Sequence, residues 1–160
     1  MMIVILDNIR SVANVGSVFR TADALDVERI YLTGITPAPV DVFGKIRPEM
    51  TKVSLGSESH VPWEKKISAL KVIAALASNG YRVLAVEQSA RSVPYYRVRI
   101  GKNSAKVAIV LGSETKGLSS RMLACADGIL EIPMRGIKES LNVSVAFGIV
   151  AFHLIYGGKR

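Results

Sequence analysis

The run Val107-Ala108-Ile109-Val110-Leu111 limits the possible folds of this chain more than any other segment, because five apolar residues follow one another with no polar alternation. A strand with one wet face alternates, whereas a strand apolar on both faces must be covered on both, as in the middle of a parallel sheet. Lys106 to Leu111 is therefore expected to be an interior strand. Ile3 to Leu6 reads as a short buried strand, followed by a helix from about Val15 to Leu25 and a second strand from Arg29 to Thr33, which makes a βαβ unit. Asp26 stands where helices often end in a left-handed residue. Between Gly34 and Pro62 the pattern weakens: Pro37, Pro39, Gly44, Pro48 and Pro62 punctuate it, with Lys45, Arg47 and Lys52 between them. This stretch is expected to hold one short helix and a short strand near Val53, and it suits a solvated connection as well as a substrate-binding one.

Trp63 to Asn79 has the spacing of an amphipathic helix, with Ile67, Leu70, Ala74 and Ala77 on one face and Gly80 as its stop. Tyr81 to Val86 reads as a strand. Ser89 to Ser104 is polar and basic, carrying Arg91, Arg97, Arg99 and Lys102, and could contact an anion. A short helix at Ser120 to Ala124, a strand at Ile129 to Ile132 and an apolar helix from Val143 to Tyr156 complete the chain. Strands alternating with helices imply an α/β fold with a mainly parallel sheet, and 160 residues suit a single domain. Ligands of such sheets collect at the carboxyl ends of strands. The loops to watch are those after Leu6, Val86, Leu111 and Ile132.

Apolar residues make up 49% and charged ones 21%, a composition that folds. With 21 Lys and Arg against 13 acidic residues, the net charge of +8 favours a polyanionic partner, nucleic acid ahead of an acidic membrane surface. Cys125 is the only cysteine, which rules out an intrachain disulfide, suits a reducing compartment and reads as a small core residue. Met1 to Leu6 is too short for a signal peptide, and Val143 to Tyr156 is shorter than the ~20 residues that cross a bilayer. A soluble, cytoplasmic protein is expected. No HExxH or CxxC occurs and the two histidines, His60 and His153, are far apart, so no metal site is expected; His153 reads as a satisfied core residue.

Three segments carry candidate chemistry. Gly112-Ser113-Glu114-Thr115-Lys116-Gly117-Leu118-Ser119 leaves a buried strand between two glycines, yet Leu118 stands where a P-loop needs lysine, and no GxGxxG occurs elsewhere. Its glycines suit close approach of the backbone to a ligand, with Glu114 presented at the strand end, and also suit a plain tight turn. In the second, Asn14 is a plausible N-cap, and Arg20 lies six residues on in a mainly apolar helix, where a charge either reaches solvent or is aimed at a ligand. The third, Ser140-Leu141-Asn142-Val143-Ser144, puts three small polar side chains at the start of an apolar helix, more than a cap requires.

Taken together in order and spacing, Asn14 through Arg20-Thr21-Ala22-Asp23-Ala24, Leu111-Gly112-Ser113-Glu114 through Gly117-Leu118, and Ile132-Pro133-Met134 through Gly136 and Ser140 to Ser144 resemble the SpoU/TrmH family of the SPOUT methyltransferases. The resemblance implies S-adenosyl-L-methionine as methyl donor, an RNA ribose 2′-hydroxyl as acceptor (tRNA ahead of rRNA), a homodimer and a C-terminal trefoil knot. It places the cofactor against Val86, Glu87, Leu111 and Ser140, with backbone groups of Gly112, Ile132 and Met134 holding the adenine and Leu141 packing on it. Arg20 matches the family's catalytic arginine, and Asn14, Glu114, Ser140 and Asn142 match its other polar active-site positions. Many relatives carry an additional N-terminal RNA-binding domain; with the first strand at residue 3, RNA is expected to be held by the catalytic domain through Arg10, Lys45, Arg47, Arg91 and Arg97. The alternative is a non-catalytic RNA-binding or assembly module that keeps the fold.

Overall fold

The computed structural model describes residues 1–100 and 106–157; Lys102, named above among the basic residues, lies outside them. Among the described residues seven strands form one all-parallel sheet: β1 (Met2–Asp7), β2 (Arg29–Thr33), β3 (Trp63–Lys66), β4 (Arg82–Val86), β5 (Val93–Pro94), β6 (Val107–Leu111) and β7 (Gly128–Glu131). Their order is β3-β2-β1-β6-β4-β7-β5, so the unalternating run of β6 lies between β1 and β4 and is buried throughout. In this register Leu111 is level with both Leu6 and Val86, and Val86 with Leu130. The loops after β1, β6, β4 and β7 therefore leave the sheet side by side, where the strand order changes direction and a crevice opens.

Alternate residues of β1 feed two cores. Val4 and Leu6 pack with Phe19 and Ala22 of α1 (Val12–Ala24), Met50 of α2 (Pro48–Ser54) and Phe147, Val150 and Ala151 of α5 (Val143–Tyr156). Ile3 and Ile5 pack on the other face with Val72, Ile73 and Leu76 of α3 (Ala69–Ser78), beside which lies α4 (Ser120–Cys125).

Several expectations need correction. α1 starts at Val12, because Ser11 rather than Asn14 is the N-cap; its Oγ accepts the Asn14 amide at 3.2 Å and leaves the Asn14 side chain for other work. Asp26 does take a left-handed φ of +52°. The helix expected over 63–79 is two elements. Trp63–Lys66 pairs with β2 as an edge strand, a place where charged side chains are common, and the helix begins after Ser68, whose Oγ caps it. Ile67 consequently points to solvent at 97% exposure, and the buried face is Ala69, Val72, Ile73 and Leu76. No strand forms near Val53, which lies within α2 behind Pro48 at the helix start. Cys125 is exposed at the end of α4 rather than in the core. His153 is half-buried and satisfied, its Nε2 2.9 Å from the Val98 carbonyl and its ring edge-on to Tyr95.

The buried Tyr81 hydroxyl donates to both carboxylate oxygens of Glu28, at 2.9 and 2.8 Å. Burial, then this pairing, push its pKa up to about 12. The folded state thus holds the proton more tightly than the unfolded chain, whose tyrosines titrate near ~10. The stabilisation is complete below that pH and is lost as pH rises through about 12. Urea midpoints measured from pH 9 upward are expected to fall in the wild type and to fall less steeply in Tyr81→Phe; parallel slopes would exclude Tyr81 as the cause.

Candidate active site

Where β4, β6 and β7 end, their loops and the segment leading into α5 enclose a cavity of about 490 Å³. Val86, Glu87, Leu111, Gly112, Ile132, Met134, Ser140 and Leu141 all line it, so every expected cofactor contact faces one space. The walls depend on two glycines. A Cβ on Gly112 would stand 2.5 Å from the Gly117 carbonyl carbon, and one on Gly117, whose φ is +61°, would stand 2.2 Å from Glu87 Oε2. The loop between them folds back through a bridge from Ser113 to Gly117. Glu87 clamps it: Oε2 accepts the Leu118 amide at 2.8 Å and Oε1 the Gln88 amide at 3.0 Å. Gln88 in turn donates Nε2 to the Glu139 carbonyl at 2.6 Å and ties the β4 loop to the segment before α5. Neither Gln88 nor Glu139 was singled out in the sequence; the position of Gln88, just past a buried strand, was the available signal.

At the mouth, residues distant in sequence form one relay. Asn142 caps α5, its Oδ1 accepting from the amide of Ser144 at 2.9 Å and from the Ser144 hydroxyl at 2.7 Å. Its Nδ2 donates to Asn14 Oδ1 at 2.9 Å; Asn14 Nδ2 donates to Glu114 Oε1 at 2.9 Å; Glu114 Oε2 accepts the Arg10 amide at 3.2 Å. Burial pushes the Glu114 carboxyl up, but hydrogen bonds from Asn14 and from backbone amides of Glu114 itself, Arg10 and Ser11 outweigh it, leaving its pKa below the ordinary carboxylate value. Its carboxylate therefore contributes stability above the ordinary pKa, and loses it as pH falls through the lowered one. Asn14→Leu removes the strongest of these donors, so the Glu114 carboxyl resonance, followed by NMR, is expected to titrate at higher pH; an unshifted titration would place its stabilisation elsewhere.

The Arg20 side chain is exposed on α1 and makes no hydrogen bond or ion pair with any described residue. Six residues past Asn14 it points about 120° away around the helix. The relay thus joins Asn14, Glu114 and Asn142, with Ser140 on the adjoining wall, and leaves Arg20 outside it. The expected RNA contacts fall in two groups. Arg10, Lys45 and Arg47 lie in the loops after β1 and β2, Arg47 with Nε donated to the Ala38 carbonyl at 3.1 Å; Arg91 and Arg97 lie exposed near β5, at the other end of the strand order. Among the described residues no group of three His, Cys, Asp or Glu could hold a metal, and no helix is long and apolar enough to cross a membrane.

The sequence model of the SpoU rRNA methylase family matches residues 1–152. The chain belongs to that family. A Staphylococcus aureus protein named for the TrmH family of tRNA/rRNA methyltransferases is 34% identical over 152 residues, 95% of this chain and 57% of the relative. The chain thus spans little more than half the length of the curated relatives it matches. Among solved structures, an AdoMet-bound rRNA methyltransferase from Sinorhizobium meliloti superposes with a TM-score of 0.82 at 30% identity, over 94% of this chain and 54% of that one. A structure described by the 2-OH methylation of C/U34 on tRNA does so with a TM-score of 0.74 at 29% identity, over 96% of this chain and 88% of that one. Of the residues that carried the SpoU/TrmH resemblance, Leu111 to Glu114, Gly117, Leu118, Ile132, Met134, Ser140 and Leu141 line the cavity and Asn14 and Asn142 meet at its mouth, whereas Arg20 to Ala24 lie outside the lining.

Proposed function

We propose that this SpoU-family protein transfers the methyl group of S-adenosyl-L-methionine to a ribose 2′-hydroxyl in RNA, with tRNA favoured over rRNA. The observation that carries the reading is the relay from Asn142 through Asn14 to Glu114 at the mouth of the cavity. The cavity suits the cofactor: Leu111, Ile132 and Leu141 give apolar walls for an adenine, and the close fold-back at Gly112 leaves backbone edges to read it. Acceptance of the cofactor in a related fold supports this, as does the 2-OH methylation of C/U34 on tRNA described for a relative of similar length.

When bound, the cofactor supplies an already activated methyl group. The residues then have to align a weakly nucleophilic hydroxyl and ease the loss of its proton. Gly112, Ile132, Met134 and Leu141 would hold the cofactor as its methyl group passes to the ribose oxygen with loss of the methyl–sulfur bond, and the hydroxyl proton would pass to water or to a phosphate oxygen. Glu114, held below the ordinary carboxylate pKa, is a poor proton acceptor. Its task is to orient Asn14, which with Asn142 and Ser140 fixes the ribose. Arg20, protonated at any working pH because guanidinium titrates above ~12, clamps phosphate and stabilises the developing alkoxide.

RNA is held by this domain's own Arg10, Lys45, Arg47, Arg91 and Arg97. Their separation into two flanks favours a homodimer that brings complementary flanks together. α5 favours it too, since it exposes Val145, Phe152 and Tyr156 at 48%, 45% and 50% on the side away from the core. A C-terminal trefoil knot belongs to the same reading and rests on the family resemblance. A free, exposed Cys125 suits the cytoplasm.

Unmodified tRNA and rRNA pools, each incubated with labelled S-adenosyl-L-methionine, digested and analysed by mass spectrometry, test this. A 2′-O-methyl nucleoside from tRNA is expected. Label confined to rRNA would overturn the choice of RNA, and binding of cofactor and RNA without transfer would favour the non-catalytic module.

A further inference from the structure

We infer that the loop between β2 and α2 is a stacking finger for RNA, on whose tip the ring of Phe43 takes a base of the substrate strand outside the methylated nucleotide. The inference rests on the RNA-methylating reading above. Val42 and Phe43 are 91% and 84% exposed and Ile46 is 67% exposed, a cluster of apolar side chains with no cover. Yet the tip is built. Asp41 Oδ1 accepts the amides of Phe43 and Lys45 at 2.8 and 2.9 Å, the Asp41 amide donates to the Lys45 carbonyl at 2.8 Å, and Gly44 turns the chain with φ +78°. Below it Val40 and Ile46 form an antiparallel bridge, and Arg47 donates its amide to Pro39 at 2.9 Å and its Nε to Ala38. Such bonding holds the main chain of the tip, and so keeps Phe43 out in water, where exposed apolar side chains have no packing reason to be.

The base of the finger is fastened to the active-site edge. The Ile9 amide donates to Thr36 Oγ1 at 3.0 Å, the Ile35 amide to Asn8 Oδ1 at 3.2 Å, and the Lys65 ammonium to the carbonyls of Gly34 (2.7 Å) and Thr36. The same β1 loop reaches Glu114 through the Arg10 amide. Finger and reacting centre are thus parts of one hydrogen-bonded edge. Lys45, two residues past Phe43, is exposed, and so is Arg10, whose amide holds Glu114, so the same edge carries both cations and an aromatic. That combination is what recognises unpaired nucleic acid: the cations follow phosphates, and the ring stacks on any base.

The test uses the whole chain and the RNA pool that the wild type methylates. Phe43→Ala is expected to raise KM for RNA and Kd in filter binding by roughly ten- to hundredfold, with kcat and calorimetric binding of S-adenosyl-L-methionine unchanged. Phe43→Trp is expected to restore affinity. Phe43→Ala should leave the salt dependence of binding as it was, whereas Lys45→Ala should reduce the log–log slope by about one. Wild-type KM and Kd in Phe43→Ala would overturn the finger and leave the methyltransferase standing. Loss of affinity accompanied by conversion of a dimer to monomer in sedimentation would also overturn it, since the ring would then be a protein contact. A wild type that neither binds nor methylates any RNA would overturn both readings.

Discussion

Arg20→Ala is expected to lower kcat for methyl transfer by about 10²–10³-fold, the usual cost of deleting one group that stabilises developing negative charge. The same substitution is expected to leave the fold and cofactor affinity intact. The Arg20 side chain is exposed, bonds to no described residue and lines no part of the cavity, so its removal should change stability by less than about 0.5 kcal/mol. An unengaged, exposed arginine on the helix that also carries Asn14 is free to meet an anionic substrate. Lysine should not replace it, because a point charge cannot make the paired hydrogen bonds of a guanidinium to phosphate and alkoxide together. Single-turnover rates of wild type, Arg20→Ala and Arg20→Lys, with Tm and calorimetric cofactor binding measured alongside, separate these effects. A Tm or cofactor affinity that falls with the rate would show a structural arginine instead.

The largest effect on binding is expected from Gly112→Ala. The added methyl would lie 2.5 and 2.7 Å from the carbonyl carbon and oxygen of Gly117 and 2.7 Å from the Leu118 nitrogen, all backbone atoms without a rotamer by which to escape. The loop must shift, and Glu87 loses its grip on the Leu118 amide. Overpacking of this kind costs about 1–3 kcal/mol of stability. Because the cavity wall is the loop itself, S-adenosyl-L-methionine binding should weaken by more than tenfold, while RNA binding through the finger and basic flanks should persist. Gly136→Ala, which meets nothing within 4 Å, is the control and should leave both unchanged. Wild-type cofactor affinity in Gly112→Ala would mean that this loop does not form the binding wall.

The interior strands were legible because burial on both faces leaves an unmistakable mark: β6 needed only its five apolar residues to be placed mid-sheet. The edge was not. Trp63 to Lys66 borrows its strand conformation from pairing with β2, and its charged residues continued the apparent helical period into Ser68, so two elements looked like one. The cavity lining was legible through strand ends and motif spacing, and all eight expected cofactor residues face it. The relay was legible only as a set. Asn14 looked like a cap because Asn favours caps, and local sequence could not reveal that Ser11 takes that role and frees Asn14 for a partner 128 residues away. The Phe43 finger was hidden for a related reason: its order comes from Asp41 bonding to nearby amides inside a segment whose prolines and glycine read as irregular.

The most direct test of ribose methylation at this site is the fate of label in alkali. RNA methylated by the wild type with labelled S-adenosyl-L-methionine and then hydrolysed with base should carry its label in alkali-resistant dinucleotides, because a 2′-O-methyl group blocks attack of that oxygen on the neighbouring phosphate, and Arg20→Ala should yield almost none. Label recovered in mononucleotides would place the methyl group on a base and contradict the assignment of the Glu114–Asn14–Asn142 relay to a ribose.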